Sequence, residues 1–242
     1  MALPNCRICH GGTGLISIVC PTLGRPQLLE PLAENIHATT LGFRLIFVCD
    51  LADLESQKAV GRASQKLLRH SVNLILHDGT YPIKSNAGMR HAVGEWAVVV
   101  NDDTRFHAGW QKAVQAGFDT GANVVGTNDL SPSSHESHST QVAVRLSYLT
   151  DPGASWGEPG RLYHEGYHHA FSESEVCALA VHRDVWFFAE GAVIEHDHPD
   201  WGKREPDATD RKGNQVGFAA DRALFESRRD LWQADCTAWK QK

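Results

Sequence analysis

Short apolar runs that end in polar or acidic residues recur along the first hundred residues of the chain. They cover residues 15–22, 43–50, 72–78 and 96–100. The last run has no polar–apolar alternation, which is typical of a strand buried on both faces. The segments between the runs carry apolar residues at helical spacing. They include Leu28, Leu29, Leu32 and Ile36, and then Leu54, Val60, Ala63, Leu67 and Leu68. This order predicts an α/β fold, with a mostly parallel central sheet and helices on both faces.

Polar residues follow the most apolar of these runs directly. Asn101, Asp102 and Asp103 come after residues 96–100 and would be costly to bury without partners. The carboxyl edge of an open parallel sheet is where such folds bind ligands. A carboxylate pair at that edge indicates a site for a hard divalent cation and a diphosphate. A simpler interpretation is that Asp102 or Asp103 caps a following helix, predicted near residues 107–116.

Four segments, taken in order, resemble the GT-A-fold glycosyltransferases of the large family-2 type. ISIVCPTLGRP is similar to the first strand and turn of that family, and IFVCD is similar to its second strand. KSNAGMRHAVGEW followed by VVVNDD resembles the run that precedes the DxD metal motif, and FSESEVCALA resembles the start of the catalytic helix. The resemblance covers residues 15–198. The segment EHDHPDWGKREPDATDRKG is similar to the tails of small glycosyltransferases encoded by bacteriophages.

The resemblance implies a role for each matching residue. Glu173 falls on the catalytic base and Glu175 on a supporting acid, although the family usually has Asp there. Asp103 falls on the metal ligand for Mn²⁺ or Mg²⁺, and a late histidine, His196 or His198, completes the site. Asp50 falls on the residue that contacts the nucleotide base. The full predicted set for the nucleotide sugar is Pro21, Thr22, Arg25, Asp50, Lys84, Asn86, Gly88, Asp102 and Lys203.

The implied reaction is transfer of a sugar from a UDP- or GDP-linked donor to an acceptor hydroxyl, with inversion. The acceptor stays open between a modified DNA base, a virion protein and a glycan. Two alternatives remain. A nucleotidyltransferase shares the fold, but its glycine-rich signature with a lysine is missing after the first strand. A non-catalytic nucleotide- or carbohydrate-binding module is favoured by Asn101, which stands where a stricter DxD motif has an acid.

The chain is expected to form an N-terminal extension, residues 1–14, and one GT-A domain, residues 15–242. Within the domain, residues 15–103 are the predicted nucleotide-binding half and residues 104–242 the acceptor and catalytic half. Residues 130–140 and 151–169 are predicted loops that contact the acceptor. Residues 199–216 are a predicted loop that closes over the donor. A helix is predicted over residues 173–184.

Composition narrows the function classes. A net charge of −6 and a pI near 6.1 argue against tight, sequence-independent binding of nucleic acid. The chain has no apolar run long enough for a membrane span and no signal-peptide pattern, so we expect a cytoplasmic protein, in the host if it is phage-encoded. Six cysteines fit a reducing compartment. Cys6, Cys9 and His10 match the haem c attachment pattern, but without an export signal we interpret that match as incidental.

Overall fold

The computed structural model describes residues 14–67, 72–215 and 217–239, with backbone only at 212–215 and 234–239. The strands are β1 (Ile16–Pro21), β2 (Phe43–Cys49), β3 (Val72–Leu76), β4 (Trp96–Val99), β5 (Thr104–Phe106), β6 (Val124–Asn128), β7 (Val142–Arg145) and β8 (Trp186–His196). The helices are α1 (Pro26–Thr39), α2 (Leu54–Lys66), α3 (Tyr81–Met89), α4 (Trp110–Asp119), α5 (Leu146–Thr150), α6 (Ser172–His182), α7 (Ala208–Gln215) and α8 (Phe218–Trp239).

The described strands join into one sheet in the order β3-β2-β1-β4-β7-β6-β8-β5. Strands β5 and β7 run against the direction of the other six. The predicted mostly parallel α/β sheet is therefore confirmed. Because β1 and β4 are central neighbours and parallel, their carboxyl ends meet at one edge of the sheet, where β4 delivers Asn101 and the two aspartates.

Both faces of the sheet are covered. Ile16, Ile18 and Cys20 of β1 belong to a core with α1, α2 and α4, whereas Val19 between them belongs to a second core with α3 and α6. Successive side chains of a strand point to opposite faces, so one apolar strand supplies both cores. This two-sided burial explains the unbroken apolar runs in the sequence.

Several local predictions need correction. Leu54 begins α2 but is 59% exposed, because it lies in the first turn outside the buried stripe, and Leu68 lies outside the described residues. The predicted loop 199–216 contains a 3-10 turn, Pro199–Trp201, and α7. Strand β5 was not predicted, since a three-residue strand paired only at long range leaves no periodic signal.

The described cysteines lie in the interior of the fold. Cys20, Cys49 and Cys177 are buried free thiols, and the Cys6–Cys9–His10 pattern lies outside the described residues. Burial raises the pKa of Cys49 to about 12, so this thiol stays protonated at neutral pH.

None of the helices in the described part of the chain has the length and hydropathy needed to cross a bilayer.

Candidate active site

A cleft of about 270 Å³ opens at the carboxyl edge of β1 and β4. Eight of the side chains predicted from sequence line it: Pro21, Thr22, Arg25, Lys84, Asp102, Asp103, His196 and His198. The remaining lining includes Asn101, Thr80, Tyr81, His168, His169, Thr209 and Asp210. Residues that are far apart in sequence therefore converge at the edge where ligands bind in open α/β sheets.

Pairing of β5 with β8 places a histidine beside the second aspartate. Thr104 pairs with His196 across these strands, and the Asp197 N–H donates to the Asp103 carbonyl at 2.9 Å. As a result, His196 Nε2 lies 2.9 Å from Asp103 Oδ1. Both side chains are buried. His198 lies outside the strand, with its ring 5.1 Å from that of His196, and its Nδ1 accepts from the Asp200 N–H.

Two arginines bridge this edge to the segment that leads into α7. Arg25 Nη1 donates to Asp102 Oδ1 at 3.0 Å and to Asp103 Oδ2 at 3.1 Å. The same guanidinium also contacts Asp207 and Asp210. The second arginine, Arg204, donates to Asp103 Oδ2 at 2.7 Å and is also paired with Asp210. Residues 204–210 are therefore tied across the cleft mouth by a network of two guanidinium groups and four carboxylates.

The two neighbouring aspartates titrate differently. Burial and the adjacent charge of Asp103 raise the pKa of Asp102, which Arg25 only partly offsets. Burial would also raise the pKa of Asp103, but His196, Arg204 and Arg25 hold it well below its ordinary value. The network has two more carboxylates than guanidinium groups, so its two arginines do not balance all of its acidic groups. A bound cation would supply the missing positive charge.

The atoms of this site fit a divalent cation whose coordination is completed by a bound phosphate and by water. No three His, Cys, Asp or Glu side chains form a ready-made metal site in the described part of the chain. Asp103 Oδ2 accepts from both arginines, whereas Asp103 Oδ1 is buried and accepts no hydrogen bond of good geometry. Its separation of 2.9 Å from His196 Nε2 is close to the ~3 Å between adjacent ligands of an octahedral ion with bonds of ~2.1 Å. Mg²⁺ and Mn²⁺ typically take their remaining ligands from phosphate and water.

Lys84 lines the cleft and connects it to Asp50. Lys84 Nζ donates to the Thr22 carbonyl at 2.8 Å and lies 3.1 Å from Asp50 Oδ1. The Thr22 hydroxyl in turn donates to Asp102 Oδ2 at 2.7 Å. This chain of contacts connects the exits of β1, β2 and β4. Asp50 does not line the cleft itself; it is reached through Lys84.

Besides Asp50, three more of the predicted donor-binding residues lie outside the lining of the cleft: Asn86, Gly88 and Lys203. The Asn86 side chain accepts from the backbone N–H groups of Leu162 and Tyr163 and donates to the Tyr163 carbonyl, so it holds the loop 151–169. A Cβ at Gly88 would lie 2.4 Å from a Val19 methyl, which shows that α3 packs directly on β1 here. The Lys203 ammonium lies 3.1 Å from Glu195, and the neighbouring Arg204 contacts Asp103 instead.

A second cavity, of about 170 Å³, adjoins the cleft and contains Glu173. The two cavities share Tyr81, Asn101, His169, His196 and His198. Glu173 is half-buried at the start of α6, where the preceding Phe171 has a left-handed backbone, φ 64°. Such a conformation costs a bulky residue about 1–3 kcal/mol and is often found at functional sites.

Glu175 lies outside both cavities and is fully paired. It is 1% exposed, its Oε2 accepts from the Tyr167 hydroxyl at 2.8 Å, and both oxygens accept from Arg228 at 2.7 Å. Burial would raise the pKa of Glu175, but Arg228 and Tyr167 lower it below its usual value. Of the two acids that the sequence singles out on α6, only Glu173 is therefore available to a ligand.

Comparison with solved structures of other proteins supports the α/β fold described above. PcManGT, a mannosyltransferase from Pyrobaculum calidifontis in complex with GDP-Man and Mn²⁺, matches with a TM-score of 0.59 and 15% identity, over 74% of this chain and 56% of that one. The chain has a GT-A-type glycosyltransferase fold. S. aureus TarS 1–349 in complex with UDP-GlcNAc matches with a TM-score of 0.56 and 15% identity, over 74% and 56% of the two chains.

The chain thus spans little more than half the length of these structures. No protein-family model and no curated protein sequence matches it. The resemblance to bacteriophage enzymes stays a prediction, because none of these comparisons bears on it.

Sequence reasoning did not single out several residues at the site. Tyr81, His169, Trp201 and Asp210 line the two cavities, and Arg204 contacts Asp103 from outside their lining. The signal in the sequence was the closeness of two basic and three acidic residues in KREPDATD, which is typical of an ion-paired segment. The aromatic residues left no signal, since a single ring at the start of a helix or in a short turn shows in no apolar periodicity.

Proposed function

We propose that the protein is a metal-dependent glycosyltransferase that moves a sugar from a UDP- or GDP-linked donor to an acceptor hydroxyl. The observation that carries the proposal is the shared wall between two cavities, one built around Asp103 and the other containing Glu173. Such an arrangement would bring a diphosphate donor and a hydroxyl acceptor into contact. GDP-Man and Mn²⁺, named for PcManGT, and UDP-GlcNAc, named for TarS, support the same donor chemistry.

The cleft is the proposed donor site. Asp103 and His196 would hold a divalent cation, Mn²⁺ or Mg²⁺, which would act as a Lewis acid for the departing diphosphate. Arg25 and Arg204 add fixed positive charge next to the same carboxylate. Asp50 is the proposed acceptor of hydrogen bonds from the nucleotide base, and His198 is the alternative imidazole ligand.

Glu173 is the proposed general base in the second cavity. Its carboxylate takes the proton from the acceptor hydroxyl as the hydroxyl oxygen bonds to the anomeric carbon of the donor sugar. The bond from that carbon to the diphosphate oxygen breaks, and the nucleoside diphosphate leaves with the electron pair. A single displacement of this kind inverts the anomeric centre. General-base catalysis of this type contributes about 10²–10⁴-fold to a rate.

The test is release of nucleoside diphosphate from a panel of UDP- and GDP-sugars, with Mn²⁺, with Mg²⁺ and with chelator. We expect release from one donor class that requires the metal. Tight binding of a nucleotide sugar with no release would indicate a binding module. Release of pyrophosphate from a nucleoside triphosphate and a sugar phosphate would indicate a nucleotidyltransferase.

Glu173→Gln tests the role of the base, since the amide keeps the shape but cannot accept the proton. We expect donor affinity within about threefold of the native protein and transfer slower by about 10²-fold or more. Glu175→Gln is the comparison, and it should lose less activity because Glu175 contacts neither cavity. Near-normal transfer by Glu173→Gln would remove Glu173 from the mechanism.

A further inference from the structure

The second cavity carries information about the acceptor, which the proposed donor chemistry leaves open. It continues from the donor cleft through a common wall, and Glu173 faces it. A hydroxyl group that reacts at the donor must therefore come from a molecule seated in this cavity. Its lining should match the surface of that molecule in shape, polarity and charge.

Aromatic rings form much of this lining. Trp201 packs with its ring centre 5.2 Å from that of His196, and His169 packs at 5.3 Å against Tyr81. Phe218 lines the same cavity and is 57% exposed. An aromatic face is electron-rich and attracts the polarised C–H groups on the flat face of a sugar ring. Partly exposed rings beside polar side chains suit a molecule with an apolar face and a hydroxylated edge.

The charge of the cavity excludes one class of acceptor. The carboxylates that line it belong to Glu173 and Asp221, and the basic groups among the described lining residues are three histidines, with no Lys or Arg. Asp221 is 1% exposed and accepts from the backbone N–H groups of His168, His169 and Ala170. Proteins that bind nucleic acids contact phosphates chiefly through Lys, Arg and other hydrogen-bond donors. A phosphate-rich acceptor would be repelled here.

We propose that the acceptor is an uncharged sugar residue whose ring stacks on Trp201 and whose hydroxyl meets Glu173. This proposal rests on the proposed glycosyltransferase function and extends it to the substrate class. Polar groups for the remaining hydroxyls are present in Asn101, Thr140 and His169, which line the same cavity.

The experiment compares three acceptor classes with one donor. Methyl glycosides of common hexoses and N-acetylhexosamines are tested beside duplex DNA that carries 5-hydroxymethyl pyrimidines and beside Ser/Thr peptides. We expect transfer to a glycoside. Transfer to DNA or peptide alone, or to no glycoside while the donor is still hydrolysed, overturns the proposal. Failure to bind or hydrolyse any nucleotide sugar would instead refute the proposed function on which it rests.

Substitutions at Trp201 test where the sugar lies. Trp201→Ala should raise the acceptor KM about threefold to tenfold, the equivalent of one aromatic contact, and raise it more than the donor KM. Trp201→Phe keeps a ring and should restore most of the acceptor affinity. Leu41→Ala is the control, because Leu41 is 70% exposed and lines neither cavity. An acceptor KM that Trp201→Ala leaves unchanged would contradict the stacking.

Discussion

At the scale of single residues, some side chains at the cleft each contact several partners. The Arg25 guanidinium contacts four carboxylates from two parts of the chain, which suits a planar group with five N–H donors. The pKa of Arg25 is raised further above its ordinary high value: burial would lower it, but Asp207, Asp102 and Asp103 outweigh burial. Arg25 therefore stays charged and fixes the carboxylates in place.

Asp103 is the residue on which divalent-dependent binding should depend most. Asp103→Asn keeps the size of the side chain but removes the charge and one acceptor oxygen at His196. We expect calorimetry to show a loss of about tenfold or more in Mn²⁺-dependent affinity for UDP or GDP, of the size that ligand-shell changes produce. Asp119→Asn, at an exposed carboxylate that ends α4, is the matched control. Equal affinities for all three proteins would rule out Asp103 as a ligand.

Gly88 tests the close approach of α3 to the sheet. A Cβ there would lie 2.4 Å from Val19 Cγ1 and 2.9 Å from Val48 Cγ2, so Gly88→Ala should destabilise the fold by about 1–3 kcal/mol. Gly61 lies in α2 with nothing within 4 Å of its added Cβ. Gly61→Ala should therefore stabilise by about 0.5–1 kcal/mol. Urea denaturation measures both, and equal stability of the two variants would contradict the packing.

At the scale of elements, α7 is anchored at the cleft by its first turn and by the loop that precedes it. Asp207 caps this helix by accepting from the N–H groups of Thr209 and Asp210, as aspartate commonly does at a helix start. The Thr209 hydroxyl donates to the Leu23 carbonyl at 3.0 Å, next to the β1 turn. The segment 204–210 thus lies over the cleft and is held chiefly by charged groups, with little apolar burial.

Asp210→Asn should loosen this segment, because it weakens the contacts to Arg25 and Arg204 together. We expect hydrogen exchange of the amides in 204–211 to rise by about tenfold, an opening easier by ~1.4 kcal/mol, while β1 and β4 keep their protection. Asp200→Asn is the control, since the Asp200 side chain is 64% exposed. Unchanged exchange in 204–211 would show that Asp210 does not hold the segment.

At the scale of the molecule, one buried ion pair joins distant parts of the chain. Arg228 of α8 pairs with Glu175 of α6, and the same guanidinium donates to the Trp156 carbonyl of the loop 151–169. At the other end of this loop, the Asp221 carboxylate of α8 accepts hydrogen bonds from two backbone N–H groups of the loop. Helix α8 therefore lines the second cavity with Phe218 and Asp221 and also holds the loop 151–169 in place.

The Glu175–Arg228 pair predicts a pH dependence of stability. Because the folded pKa of Glu175 is lowered, its contribution is complete above the unfolded pKa of about 4.3 and is lost as pH falls below it. Glu175→Gln should cost about 3 kcal/mol at pH 7, and the difference from the native protein should shrink below about pH 4. Glu55→Gln, in an exposed pair with Lys58, should cost less than about 1 kcal/mol. Unfolding midpoints across pH check this, and a difference that stays constant down to pH 3 would contradict it.

The sequence by itself determined the α/β class, the order of most elements and the exit of acids from β4. These follow from local periodicity, because burial on one or both faces of a strand or helix shows directly in the spacing of apolar residues. Asp102 and Asp103 were predictable for the same reason, since charged residues directly after a buried strand must emerge at the sheet edge. The predicted roles of the site residues stay predictions.

Only the tertiary structure decided which side chains meet. His196 reaches Asp103 because β5 pairs with β8, and a strand of three residues leaves no signal in the sequence. Arg204 rather than its neighbour Lys203 contacts Asp103, because adjacent residues in an irregular segment point in different directions. Glu173 faces a cavity while Glu175, two residues away on the same helix, is buried against Arg228. Positions two apart on a helix lie about 200° apart around its axis, so the packing of α8 against α6 decides which of the two acids a ligand can reach.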